Sequence, residues 1–317
     1  MLDVSVIVPV YQVADYLEQC LQSLLQQSWK NFEVLLIDDG STDGSAEICD
    51  AFAGRDPRFK VIHQTNQGVG AVRNVGLSKA QGAYIAFVDG DDYVAPDMLE
   101  KMLQSAREAK ADLLICDYFT LSGDQTEYKK QLPHEQIWRD DSFMQYVANE
   151  KILSFPWNKL YRKELFTEIR YPLGMVFEYQ YIFHRLARKA KAIAYSNGAY
   201  YYYRINPDGL SRSLHTRNAY DCFTADLERQ RFMQEYYPQY ADGCWTHIIN
   251  NACNTYWRYL FTGEGQSYAQ ETKAYLQQRA GRLLFSSQVS LNAKIKILTV
   301  FLKINKLKWQ RMLRKRG

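Results

Sequence analysis

Over its first 120 residues the chain alternates short apolar runs with segments whose apolar residues recur every three or four positions. Val4 to Val8, Val34 to Ile37, Val61-Ile62, Tyr84 to Val88 and Leu113 to Cys116 are aliphatic or β-branched runs of strand length. Between them Leu17, Leu21, Leu24 and Leu25 fall on one helical face, and so do Ile48 and Phe52. Continuous apolar strands separated by helices indicate a parallel sheet covered on both sides. The pattern predicts an α/β fold: a Rossmann-like, mostly parallel sheet flanked by helices. In such sheets ligands collect beyond the carboxyl ends of the strands, where strand order reverses.

The pattern then changes twice. Residues 121–150 look like a polar connection, and a second segment begins near Phe155-Pro156-Trp157-Asn158-Lys159-Leu160-Tyr161 and runs to about Leu214. After Arg217 the chain reads as helices rich in Tyr and Trp, a helical C-terminal extension. This sets expected boundaries at 1–118, 119–215 and 216–317. No internal repeat is present.

Charge sharpens this division. The net charge is +4, yet residues 272–317 hold 12 Lys or Arg and no Asp or Glu, which leaves −8 on residues 1–271. An acidic body with a basic tail suggests that only the C-terminus meets an anionic surface. Residues 294–316 mix bulky apolar and basic side chains without one clean helical stripe. They fit an interfacial helix on anionic lipid, a docked terminal helix or a dimerising one, the last leaving a homodimer open. No run approaches the roughly 18 apolar residues of a membrane span. No basic leader precedes the first strand, so a cytoplasmic protein is expected, peripheral at the inner face of the membrane. The six cysteines form no CxxC pair, and Cys20, Cys49 and Cys116 sit among apolar neighbours as core thiols. No nucleic-acid-binding motif accompanies the tail.

The strand ends carry the chemistry. They read Pro9-Val10-Tyr11, Asp38-Asp39-Gly40-Ser41 and Asp89-Gly90-Asp91-Asp92. No GxGxxG follows the first strand and no GxxxxGK[ST] occurs, which excludes a dinucleotide site and a P-loop. Side chains alternate along an extended chain, so Asp89 and Asp91 share a side, and Gly90 allows close approach to the backbone. Two adjacent carboxylates suit a hard divalent cation completed by substrate phosphates; otherwise they form an acidic turn with Asp92 as a helix cap. In the second cluster Ser41, Thr42 or Asp43 can cap the next helix, while the carboxylate of Asp39 can accept from the N3–H of a uracil. A glycine-bearing stretch, Asn66 to Gly76, would open a helix and offer the forked donors of Arg73 to a diphosphate or base. The plainer role of Arg73 is to hold the sheet-end carboxylates in place.

The order Val6 to Tyr11, Asp38 to Asp43, Gly68 to Gly76 and Asp89 to Asp92 resembles the inverting family 2 glycosyltransferases of the GT-A fold. The resemblance covers about residues 3–118 and continues more weakly through Trp157 to Tyr161 and Pro172 to Glu178. Tyr200-Tyr201-Tyr202-Tyr203-Arg204 is typical of bacterial members that build capsular or surface polysaccharides. The resemblance implies that residues 1–118 bind a nucleotide sugar and 119–215 the acceptor. Pro9, Val10 and Tyr11 would line the nucleoside, Asp39 would meet uracil, and Arg73, Asp89 and Gly90 would hold the nucleotide. Asp91, with Asp89, would bind Mn2+ or Mg2+, and Asp92 would stand beside the metal. Trp157 and Asn158 are the candidate acceptor contacts, though Trp157 also fits a core anchor.

One position departs from the family. Relatives carry Glu-Asp where this chain has Glu178-Tyr179, and the aspartate of that pair is usually the base. The phenol, with a pKa of about 10, does not replace it at neutral pH. Glu178 is then the candidate base, or else an ion-pair partner of Arg185 or Lys159. The expected activity is inverting transfer from a UDP-sugar to a glycan or lipid-linked acceptor. The rival is an inactive carbohydrate-binding or scaffold protein of the same fold. A sugar-nucleotide-forming enzyme would need a glycine-rich basic loop after the first strand, which Pro9-Val10-Tyr11-Gln12 is not.

Overall fold

The computed structural model describes residues 2–302 apart from 124, 207–214 and 288. The chain divides into two compact units, Met1–Val147 with Lys151–Pro207, and Ala148–Glu150 with Asp208–Gly317.

The first unit opens with the expected alternation: β1 (Val4–Val10), α1 (Ala14–Leu25), β2 (Phe32–Asp38), α2 (Ser45–Arg55), β3 (Phe59–His63), α3 (Val69–Lys79) and β4 (Tyr84–Phe87). These strands pair in parallel in the order β3-β2-β1-β4. Val4, Val6, Val8 and Val10 pack in one core with Leu17, Cys20, Leu21 and Leu24 of α1, so alternation along the strand meets the helical period. Cys20, Cys49 and Cys116 are buried free thiols, as their neighbours implied.

Beyond β4 the sheet is mixed. The chain continues through β5 (Tyr93–Val94), α4 (Met98–Glu108), β6 (Leu113–Ser122), β7 (Gln125–Lys129), β8 (Gln136–Trp138), α5 (Met144–Ala148), β9 (Lys159–Arg162), α6 (Phe183–Lys189) and β10 (Ile193–Arg204). β9 inserts antiparallel between β4 and β6, β10 runs parallel to β6, and β5 closes the path antiparallel to β10. The parallel character is thus confined to β3-β2-β1-β4 and the β6–β10 pair. The stretch 121–150 is not a plain connection. β7 folds back on β6 through a turn in which Gly123 takes a φ of 55°, and β8 pairs with β10. β7 is polar and exposed along most of its length, which is why no apolar pattern announced it.

The second unit is built from α7 (Thr216–Tyr236), α8 (Trp245–Thr262), α9 (Gln266–Phe285) and α10 (Leu291–Phe301), with Ala148–Glu150 packed among them. Arg229 of α7, fully buried, bonds Glu150 at 2.5 Å and Asp226 at 2.6 Å, and His247 of α8 bonds the other oxygen of Glu150 at 2.7 Å. α10 docks through Ala293, Ile297 and Val300. Of the tail expected to be interfacial, residues 303–316 lie outside the described residues.

Candidate active site

Because β1 is followed by strands on one side and β4 lies on the other, strand order reverses between β1 and β4. The turn after β4 meets the end of β1 there. A Cβ on Gly90 would lie 3.1 Å from the Pro9 carbonyl oxygen and from Val13, so a larger residue would push this close contact apart. Pro9 is half-buried and Tyr11 is exposed beside it. Val10 is buried in the core, and its carbonyl accepts from the Asp39 N–H at 2.9 Å. The expectation that the Val10 side chain lines a nucleoside is therefore corrected: β1 still alternates at that position, and the side chain points inward.

Asp89 is partly exposed, and Arg73 Nη2 donates to its Oδ1 at 3.0 Å. The other end of the guanidinium pairs with Glu178, so one buried arginine bridges two carboxylates. Its Nε has no hydrogen-bond partner among the described residues. Gly70, one turn before Arg73, makes room for this: a Cβ there would come within 2.3 Å of the Pro172 carbonyl oxygen and 3.4 Å of the Glu178 side chain. Glu178 is 1% exposed. Its partner is Arg73, not Arg185 or Lys159. The candidate base Glu178 is thus sealed against a guanidinium in this conformation and would have to leave Arg73 to meet an acceptor hydroxyl.

Asp91 and Asp92 have different surroundings. No other residue's side chain or N–H among those described bonds the Asp91 carboxylate, and burial, then the charge of Asp89, pushes its pKa up to about 6. A cation between these two carboxylates would relieve both effects. Asp92 is not a helix cap. It is buried behind the turn, accepting from the Tyr201 hydroxyl at 2.6 Å and the Arg204 N–H at 2.7 Å. The same hydroxyl accepts from the Asp89 N–H at 3.0 Å, and Arg204 Nε donates to the Asp91 carbonyl at 2.9 Å. Burial first, then Asp91 and Asp89, holds the Asp92 pKa well above the carboxylate range. Tyr201 and Arg204 were visible only as part of a tyrosine-rich run, with no signal that they grip this turn.

In the second cluster Asp39 is fully engaged. Asp39 accepts from Gln64 Nε2 at 2.7 Å, the Gln67 N–H at 2.9 Å and the Gly68 N–H at 2.8 Å, tying down the loop that leads into α3. A uracil would have to share this carboxylate with its loop. Asp43 accepts from the N–H groups of Ala14 and Ser45, at the starts of α1 and α2.

The proposed acceptor contacts are corrected. Trp157 is 4% exposed, stacked on Phe155, Tyr201 and Tyr203 with centroids 5.0, 4.5 and 5.3 Å apart. Asn158 is 1% exposed, donating to the Cys116 carbonyl and accepting from Lys159 Nζ. Both hold the interior together, and neither offers a surface to a sugar.

Among the described residues no three His, Cys, Asp or Glu side chains are grouped to hold a metal. Asp91 and the half-open Asp89 fit the sparser arrangement in which one or two carboxylates bind Mg2+ or Mn2+ and phosphates supply the rest. A family profile, Glycosyl transferase family 2, matches residues 5–170. Glycosyltransferase GlyG of Streptococcus pneumoniae serotype 4 is 34% identical over 220 residues, 66% of this chain and 73% of that protein. The chain belongs to glycosyltransferase family 2. Its fold is that of S. aureus TarS residues 1–349 in complex with UDP-GlcNAc, with a TM-score of 0.66, 20% identity, and coverage of 98% of this chain and 92% of that one. The mannosyltransferase PcManGT of Pyrobaculum calidifontis, in complex with GDP-Man and Mn2+, aligns at a TM-score of 0.56 and 15% identity over 96% of this chain and 86% of that one. The family 2 chain is thus a sugar-transferring enzyme of the GT-A fold, and the turn after β4 is its candidate donor site.

Proposed function

We propose that this protein moves a sugar, with inversion, from a UDP-sugar to a hydroxyl of a glycan or lipid-linked oligosaccharide in surface polysaccharide synthesis. The observation that carries this reading is the Asp89-Gly90-Asp91 turn, braced by Arg73, against the end of β1 at the strand-order reversal. Pro9 and Tyr11 would flank the nucleoside, and the Asp39 loop would shape the base slot. Asp91 and Asp89 would hold the divalent ion. When bound, Mn2+ or Mg2+ offsets charge on the leaving diphosphate. The chain's own contribution is to fix those carboxylates: Arg73 orients Asp89, and Tyr201, Asp92 and Arg204 hold the turn from behind, so little reorganisation is needed when the donor arrives.

Calorimetric titration of UDP, GDP, CDP and dTDP, with and without Mn2+, tests this. Metal-dependent UDP binding that is lost in Asp91→Ala is expected. Absence of any nucleotide binding overturns it. A second reading, a donor-binding protein without transfer activity, is favoured by Tyr179 and by the Glu178–Arg73 pair, which engages the one carboxylate of residues 172–179. UDP binding without hydrolysis of any UDP-sugar would select it.

A further inference from the structure

α10 is apolar on two opposite sides, and only one is covered. Ala293, Ile297 and Val300 are buried against the helical unit, and Lys296 Nζ reaches Asn250 Oδ1 of α8 at 2.7 Å. On the opposite side Leu291, Ile295, Leu298 and Leu302 follow at intervals of four, three and four residues, with exposures of 73, 49, 44 and 70%. Phe285, the last residue of α9, is 90% exposed. One exposed leucine is ordinary, but a continuous stripe marks a contact surface.

The charge decides between the occupants. The segment 272–317 that contains α10 carries twelve basic residues and no acidic one, so a second copy of this face would meet like charge. An anionic bilayer complements both features, its acyl boundary taking the stripe and its headgroups the positive charge of the segment. No described helix is long and apolar enough to cross a membrane. We propose that α10 is a peripheral membrane-docking helix that lies flat on an anionic leaflet with Leu291, Ile295, Leu298 and Leu302 facing the lipid.

Flotation of the full chain with phosphatidylcholine vesicles, with and without phosphatidylglycerol, tests this without any activity measurement, so its failure is separate from failure of the sugar-transfer reading. Binding is expected only with the anionic lipid, weakening as salt rises. Ile295→Glu with Leu298→Glu should reduce it at least about tenfold while circular dichroism and Tm stay unchanged, because both positions are exposed. Substituting Arg311, Arg314, Lys315 and Arg316 by Gln should weaken it as well. Undiminished binding by the Ile295/Leu298 variant overturns the proposal, as does equal uptake by neutral vesicles. A lipid-independent dimer that this variant makes monomeric assigns the stripe to a second copy and overturns it. So does a lowered Tm in the variant when the parent chain binds no vesicles, since the chain's own residues would then cover the stripe.

Discussion

At the turn after β4 three aspartates within four positions have three different roles. Asp89 is held by Arg73, the Asp91 carboxylate receives no bond from another described residue, and Asp92 is enclosed by Tyr201 and Arg204. Tyr201→Phe isolates the last of these, since it keeps the ring stacked on Trp157 and removes only the hydroxyl that joins Asp92 to the Asp89 N–H. UDP–Mn2+ binding is expected to weaken about tenfold, the scale of one hydrogen bond to a charged group, with a small fall in Tm. Glu178→Gln separates two roles. A general base would lose roughly 10²–10⁴ in turnover with donor affinity intact. Because Glu178 shares Arg73 with Asp89, turnover and UDP affinity are instead expected to fall together, measured by calorimetry beside initial rates. The candidate carboxylates and Arg73 were legible because they close predicted strands or open a helix. The Arg73–Glu178 pair was not, because it spans 105 positions and nothing local records it. Trp157 misled for a related reason, since an aromatic beside a candidate site looks the same in sequence whether it faces solvent or a stack.

Among the elements, the parallel block was readable because its strands carry apolar runs and the helices between them keep their period. β7, β8 and the antiparallel β9 were not. β7 is polar, β8 is three residues long, and strand direction leaves no mark on composition. Between β2, β3 and α2, His63 bonds Asp38 at 2.8 Å and Asp50 at 3.2 Å. The hydrogen bond to Asp38 raises the His63 pKa above 6.5. Burial alone would raise Asp38, but the bonds from His63 and Ser41 bring it below 3.8. The His63 contribution to stability is complete below pH 6.5 and disappears as pH rises through its raised value. That of Asp38 is complete above pH 3.8 and fades as pH falls through its lowered value. His63→Gln is therefore expected to melt below the parent chain at mildly acidic pH and to converge with it at alkaline pH, in melting curves recorded across that range.

Taken whole, the molecule buries charges in both units, and the helical unit has a cluster of its own around Arg229 and Asp226. Burial pushes Asp226 up to about 7. Burial would also raise Glu150, but the Arg229 charge and the His247 hydrogen bond draw it down to about 2. Removing the shared cation leaves the enclosed Asp226 uncompensated, so Arg229→Met is expected to destabilise that unit by about 3–5 kcal/mol, read as a lowered calorimetric midpoint. The first two segments expected from the sequence share one sheet. β9, from the middle segment, supplies the strand that joins β4 to β6, both of which lie in or begin within the first. This insertion also constrains the order of events during synthesis. When β4 and β6 have left the ribosome, their facing edges have no neighbour until residues 159–162 follow, a wait of several seconds at roughly 5–20 residues per second. For that interval the nascent donor-side sheet carries two apolar strands with open edges, the feature that invites aggregation. The joining of β4 to β6 is therefore timed by a strand whose own sequence says nothing about sugar chemistry.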